Sequence, residues 1–164
     1  MKAIVIGHTG QDGSYLSSLL LSKGYEVTGF SSNSVSENKY GISKIDLRQY
    51  AEVENTIKKI FPDEVYFLAA VHQSSADVQV EDGELFQKSF DLNVKSFINF
   101  LETIRLHSPK TKIFYAASSH IFGSPATSPQ NESTPLNPNC IYGITKTAGI
   151  RACHLYREKH NVFA

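Results

Sequence analysis

Tyr142 and Lys146 stand four apart in the run Tyr142-Gly143-Ile144-Thr145-Lys146. Four residues make about one helical turn, so on a helix both side chains share a face. An ammonium beside a phenol favours the phenolate and draws the tyrosine pKa toward neutrality. A tyrosine so placed can act as a general base toward a sugar or alcohol hydroxyl. The spacing alone is common on ordinary helices and gains weight from what accompanies it. Lys112 to Ala117 is a short apolar run that reads as a strand, and it delivers Ser118, Ser119 and His120 to its carboxyl end. His120 lies two residues beyond Ser118, so alternation along an extended segment puts both on one side. It reads either as a second acid/base or as a polar residue at a loop entrance. At the other end of the chain, Gly7, Gly10 and Gly13 follow one another at three-residue steps.

These residues need elements to hold them. Ala3 to Ile6 is a β-branched apolar run suited to a buried strand, and Leu16, Leu19, Leu20 and Leu21 after the glycines take helical spacing. Strand, glycine turn and helix together are the setting in which a glycine fingerprint binds a dinucleotide. Gly7 turns the chain off the strand, Gly10 clears room for a pyrophosphate, and Gly13 lets helix and strand pack closely. The helix N-terminus then offers N–H groups and partial positive charge to phosphates. Glu26 to Phe30 reads as the second strand, Tyr40 to Leu47 as a third ending near Asp46, and Gln49 to Phe61 as an amphipathic helix closed by Pro62. Glu64 to Ala70 reads as the fourth strand, with Ala69 and Ala70 small enough for close approach of a flat ligand. Val71 to Gly83 is a polar loop, Glu84 to Leu106 a long helix with Asn93 inside its apolar face, and Lys112 to Ala117 the fifth strand. Asn93 reads either as a buried amide bonding backbone or as a group that fixes a water or a catalytic side chain. Gly123 to Asn139 is a long loop rich in Pro, Ser, Thr and Asn, and a last helix runs from Tyr142 to about His160.

Alternating strands and helices predict an α/β, Rossmann-like, doubly wound parallel sheet in three layers with right-handed crossovers. Ligands of such sheets bind beyond the carboxyl ends of the strands, where all the residues singled out fall. An acid after the second strand would bond the ribose hydroxyls of NAD. This chain has Ser31, Ser32, Asn33 and Ser34 there, no carboxylate before Glu37, and no arginine in that stretch to grip a 2′-phosphate. Hydroxyls and an amide serve either cofactor, and the missing acid tilts the expectation to NADP, with NAD possible.

At 164 residues, with 41% hydrophobic and 20% charged residues, the chain fits one NAD(P)-binding domain over residues 1–164. Sixteen basic and sixteen acidic residues balance, so no global field points to nucleic acid or an anionic membrane. No apolar run reaches transmembrane length and no signal peptide is legible, which leads to the expectation of a cytoplasmic domain. Cys140 and Cys153 are then read as reduced and incidental, and no metal is expected.

The sequence resembles the extended short-chain dehydrogenase/reductase (epimerase/dehydratase) family, and within it the nucleotide-sugar 4,6-dehydratases of the GDP-mannose type. The resemblance rests on GHTGQDGSYLSSLLLSKGYEV, DLRQ, PDEVYFLAA, ASSHIFG and YGITK, and covers essentially the whole chain. Its most specific part is the opening, Thr9, Gln11, Asp12, Gly13, Ser14, Tyr15 and Leu16. The resemblance implies a lyase with bound NADP that takes a hydride from C4 of the hexose, loses water across C5 and C6, and returns the hydride to C6. By position, Tyr142 would be the C4 base, Lys146 its electrostatic partner and cofactor clamp, and Ser118 the hydroxyl at the C4 oxygen. Where the dehydratases carry a Glu for the C5 proton, this chain has His120. Cofactor contacts are expected from Gly7, Thr9, Gly10, Gln11, Asp12, Gly13, Ser31, Asp46, Leu47, Leu68, Ala69, Ala70, Tyr142 and Lys146. The implied substrate is a nucleotide sugar, GDP-mannose first, and the implied assembly a homo-oligomer. An epimerase or ketoreductase of the same family, or a non-catalytic cofactor-binding fragment, are the alternatives. Family members continue past Val162 into a further strand and a sugar-binding region, so the chain is expected to be a fragment lacking that C-terminal region.

Overall fold

The computed structural model describes residues 1–31, 45–73 and 80–164. β1 (Lys2–Ile6) is the central strand, buried on both faces, with α1 (Gln11–Ser22) leading from its glycine turn to β2 (Glu26–Phe30). α2 (Tyr50–Ile60) precedes β3 (Glu64–Phe67). α3 (Asp82–Phe90), a π-helical turn (Asp91–Ser96) and α4 (Phe97–His107) form one continuous rod before β4 (Lys112–Tyr115). A single 3₁₀ turn (Ser119–Phe122) and a loop then lead to α5 (Ile141–His160).

The strands pair parallel in the order β2-β1-β3-β4. After β2 on one side of β1 the chain returns to β3 on the other, so a crevice opens above the carboxyl ends of β1 and β3. Ile4, Ile6 and Phe67 face the larger core with Val53 and Ile57 of α2 and Phe97, Phe100, Leu101 and Ile104 of α4. Phe67 anchors it, with Phe97 and Phe100 packed edge-on at 5.3 and 5.7 Å between ring centroids. Ala3, Val5 and Val27 face the other way against Leu20 of α1. Among the described residues α1 covers only the β1–β2 part of that face, and Phe114 on β4 stays half exposed. Among the described residues β4 is an edge strand, and Ile113 N–H donates away from the sheet to the Phe163 carbonyl at 2.8 Å.

The parallel α/β architecture is the one expected, with local differences. Of the expected third strand, residues 40–44 lie outside the described residues, and Ile45 to Leu47 are not strand. β3 and β4 stop at Phe67 and Tyr115, before the small residues that follow them. The long helix does not present one unbroken apolar face. Phe86, Phe90 and Ile98 are each exposed by more than a third, while Asn93 and Ser96 are buried. The π turn explains this, because its wider turn rotates α3 out of phase with α4.

Candidate active site

The glycine turn shapes the first half of the site. Gly7 has φ +86°, which glycine alone adopts freely, and a side chain there would begin 2.9 Å from the Ala69 backbone nitrogen. The ends of β1 and β3 can approach because that side chain is missing. Gly7 N–H donates to the Phe30 carbonyl and Gly10 N–H to the Gly7 carbonyl, which folds the chain into α1. Gly10 caps α1 without a side chain, so the first-turn N–H groups receive no side-chain cap. A cleft of about 720 Å³ opens in front of this turn. Of the residues expected at a cofactor, Gly7, Thr9, Gly10, Ser31, Asp46, Leu47, Leu68, Ala69 and Ala70 line it. Gln11 and Asp12 lie exposed on the first turn of α1, and Gly13 is buried beneath the glycine turn. Ser32, Asn33, Ser34 and Glu37 lie outside the described residues.

Ser31 shares a 2.7 Å hydrogen bond with Thr9. The Asp46 carboxylate accepts from Arg48 Nε at 2.8 Å, Nη2 at 2.9 Å and the backbone N–H at 3.1 Å. These bonds hold its pKa below the usual carboxylate range. Arg48, Lys88 and Asp91 also line the cleft and were not expected there. Arg48 could have been noticed from its position two residues past Asp46, where an Asx turn brings the side chain back. No periodicity marks Lys88 or Asp91.

The second half is built where α5 meets the end of β4. Lys146 is fully buried, and its Nζ donates to the Ala116 carbonyl at 2.7 Å. Burial pushes its pKa down to about 8. Nζ lies 4.7 Å from the Tyr115 ring centroid and 5.6 Å from that of Tyr142. Ser118 lies close enough to the Tyr142 phenol to draw its pKa down, and its hydroxyl accepts from His120 N–H at 3.3 Å. The tyrosine pKa is raised, not lowered as the spacing with Lys146 suggested. Burial of the phenol and the neighbouring Cys140 raise it, and Ser118 opposes them. Ser118, Tyr142 and Lys146 thus gather at one edge of the sheet, with Lys146 anchored to the strand end by Ala116.

His120 faces the same place, its ring 5.7 Å from that of Tyr142. Gly143 makes this possible, since a side chain there would begin 2.5 Å from the His120 carbonyl oxygen. His72, which sequence reasoning passed over, stands edge-on to Tyr142 at 4.7 Å and to His120 at 6.0 Å. A second cleft of about 590 Å³ is lined by His72, His120, Cys140 and Tyr142 among others. Cys140 is not incidental in position. It caps α5, its sulfur accepting from Gly143 N–H at 3.4 Å and lying 3.5 Å from His120 Nδ1. Cys153 is buried in the core, which pushes its thiol up to about 11, and both cysteines are free thiols.

Asn93 holds the two halves in register. Its Oδ1 accepts from Val71 N–H at 2.7 Å, and its Nδ2 donates to the Val71 carbonyl and to Thr145 Oγ1. Of the two readings open for this residue, the structure realises the buried amide that bonds backbone. One side chain joins the segment after β3, the π turn and α5.

A family profile described as GDP-mannose 4,6 dehydratase matches residues 4–164. GDP-mannose 4,6-dehydratase of Yersinia enterocolitica is 33% identical over 99% of this chain and 47% of its own length. GDP-mannose 4,6 dehydratase 2 of Arabidopsis thaliana is 34% identical over 99% of this chain and 48% of its own. The chain therefore spans about half the length of the curated relatives it matches. Among solved structures, UDP-glucose 4-epimerase of Thermus thermophilus in complex with NAD superposes with a TM-score of 0.80 at 28% identity, covering 99% of this chain and 52% of that one. UDP-glucose 4-epimerase from Brucella ovis in complex with NAD gives 0.80 at 23% identity, covering 98% of this chain and 49% of that one, and shows the shared fold. With the glycine turn, the parallel sheet and the tyrosine–lysine helix all inside the matched span, the chain belongs to the GDP-mannose 4,6-dehydratase family.

Proposed function

We propose that this chain is the cofactor-binding half of a nucleotide-sugar 4,6-dehydratase, a lyase acting on GDP-mannose, and that it carries the catalytic tyrosine. The observation that supports this most is the meeting of Ser118, Tyr142 and Lys146 one strand away from the glycine-turn cleft. The cleft fits a nicotinamide dinucleotide. Side chains are missing at Gly7 and Gly10, Ala69 and Ala70 are small, and the first turn of α1 has no side-chain cap where a pyrophosphate needs donors. Bound there, the nicotinamide would supply a hydride acceptor and later a hydride donor.

The chain's own residues handle protons and position. Tyr142 takes the proton of the hexose C4 hydroxyl, and Ser118 orients the phenol and bonds the same oxygen. Lys146, held by the Ala116 carbonyl with its Nζ 5.6 Å from the Tyr142 ring centroid, supplies a positive charge that works against the burial disfavouring the phenolate. Once C4 is a carbonyl, the C5 proton is acidic enough for an imidazole to remove, and His120 stands beside Tyr142 to do so. A protein containing the whole chain and the sugar-binding region should convert GDP-mannose to its 4-keto-6-deoxy product. Tyr142→Phe should lower that rate by about 10²- to 10⁴-fold, the usual contribution of a general base. An isomeric hexose as the product would instead favour the epimerase reading, for which the imidazole at position 120 is the motivating observation. A homo-oligomer is part of the same proposal and is checked by sedimentation of that longer protein.

A further inference from the structure

Loss of water across C5 and C6 takes two proton transfers. C5 gives up a proton, and the C6 oxygen must gain one, because hydroxide is a poor leaving group. Tyr142 and Ser118 are both committed to the C4 oxygen in this reaction. His120 takes the C5 proton, and its surroundings restrict it to that step. The two ring nitrogens of an imidazole are distinct and lie on different edges. In His120, Nδ1 is turned to the Cys140 sulfur at 3.5 Å, which leaves Nε2 to meet a substrate. Once Nε2 holds the C5 proton, the ring has no second atom to offer the leaving oxygen.

A further donor has to come from the same cleft. His72 stands on it, its ring 6.0 Å from that of His120 and 4.7 Å from that of Tyr142. His72 follows β3 and His120 follows β4, so the two imidazoles approach from adjacent strand ends. Asn93 fixes the segment that carries His72 by bonding both backbone groups of Val71. The other titratable side chains on the cleft are Asp82, Cys140 and Tyr142. Asp82, on α3, is exposed, and exposed carboxylates are ionised near neutral pH. Cys140 is engaged with Gly143 N–H and His120, and Tyr142 is occupied at C4. His72 is exposed and can recover a proton from water after each turnover.

We propose that His72 is the general acid of the elimination, protonating the C6 hydroxyl as His120 takes the C5 proton. The C5–H bond breaks toward His120, and its electron pair becomes the second C5–C6 bond. The C6–O bond breaks with its own pair, and the oxygen leaves as water carrying the proton from His72. His120 keeps its proton for return to C5. An imidazole suits the task because it serves as acid or base near neutral pH. The proposal rests on the dehydratase reading and adds the residue that expels the hydroxyl.

The experiment uses a protein containing the whole chain and the sugar-binding region, as wild type, His72→Gln, His72→Ala and His120→Ala. Each is assayed on GDP-mannose and on its 6-deoxy-6-fluoro analogue, whose fluoride leaves as an anion and needs no proton. On GDP-mannose both His72 variants should lose about 10²- to 10⁴-fold in kcat, the usual contribution of a general acid. On the fluoro analogue, followed by fluoride release, they should stay within about tenfold of wild type, too small a loss for a missing acid. His120→Ala should be slow on both substrates. The wild-type rate on GDP-mannose should fall at alkaline pH as His72 loses its proton, and His72→Ala should lack that limb. Because His72 is exposed, its variants should melt close to wild type. Equal losses on the two substrates would make His72 structural and overturn the proposal, as would no loss, or a wild type that releases no fluoride. If wild type still forms the 4-keto-6-deoxy product in those cases, only this inference falls. A wild type that gives an isomeric hexose or no product fails the dehydratase reading, and this inference falls with it.

Discussion

Lys146 combines full burial with a polar task, and burial leaves a thermodynamic signature. The folded chain releases its proton near pH 8, whereas an unfolded lysine holds it to about 10.5. Between those values the unfolded state binds more protons, so stability rises as pH climbs through the window. The rise amounts to something on the order of 3 kcal/mol by the usual conversion of a pKa shift. Lys146→Met keeps the aliphatic stem and removes the titrating group. Urea midpoints measured from pH 7 to 10.5 should climb in wild type relative to the variant, and parallel curves would show that the ammonium is not buried as described. The sequence could place Lys146 on the same helical face as Tyr142, but not this cost. The expected lowering of the Tyr142 pKa failed for a related reason. Spacing specifies neighbours on one helix, whereas the burial and the Cys140 contact that raise the phenol depend on what packs across it.

At the scale of elements, the glycine turn separates two jobs within one motif. Gly10 is in extended backbone open to any residue, and an added side chain would meet only the Gly7 carbonyl oxygen, at 3.3 Å. Gly13 has no such room, since its side chain would run into the Gly7 carbonyl and start 2.6 Å from the His8 Cα. Gly10→Val should therefore keep a near-native melting temperature and lose dinucleotide affinity in a calorimetric titration. Gly13→Ala should cost about 1–3 kcal/mol of stability, as overpacking does, even with no ligand present. The opposite pattern would mean that the roles assigned to the two positions are exchanged. Helices and strands of this fold were legible because apolar residues repeat at the helical period or crowd into β-branched runs. The π turn was not, because it adds a residue to one turn without any composition of its own. His72 and Arg48 escaped for a different reason. Each lies in a connection, where no period applies, and only for Arg48 did the spacing from Asp46 offer a turn signal.

For the whole molecule, a net charge of zero gives little electrostatic repulsion between copies near neutral pH. What copies present to one another is then decided by the sheet. Among the described residues the outer strands of the sheet are β2 and β4, and beside β4 lie the exposed Phe114 and Phe163 and a groove of about 420 Å³. Exposed strand edges of this kind invite pairing with another chain. The 164-residue chain should sediment as a larger species as its concentration rises, and Phe114→Lys should hold it at the monomer value. A concentration-independent monomer in wild type would show that the Phe163 contact with Ile113 already blunts the edge. The polarity of the sheet also limits how far such association can go. Joining β4 of one copy to β2 of the next is head-to-tail and leaves a fresh edge at each step, so it has no natural stopping point. Joining β4 to β4 requires a two-fold axis, turns the two parallel sheets antiparallel across the seam, and uses up both sticky edges at once. If pairing runs through the β4 edge, where Phe114 and Phe163 are exposed, growth should end at two.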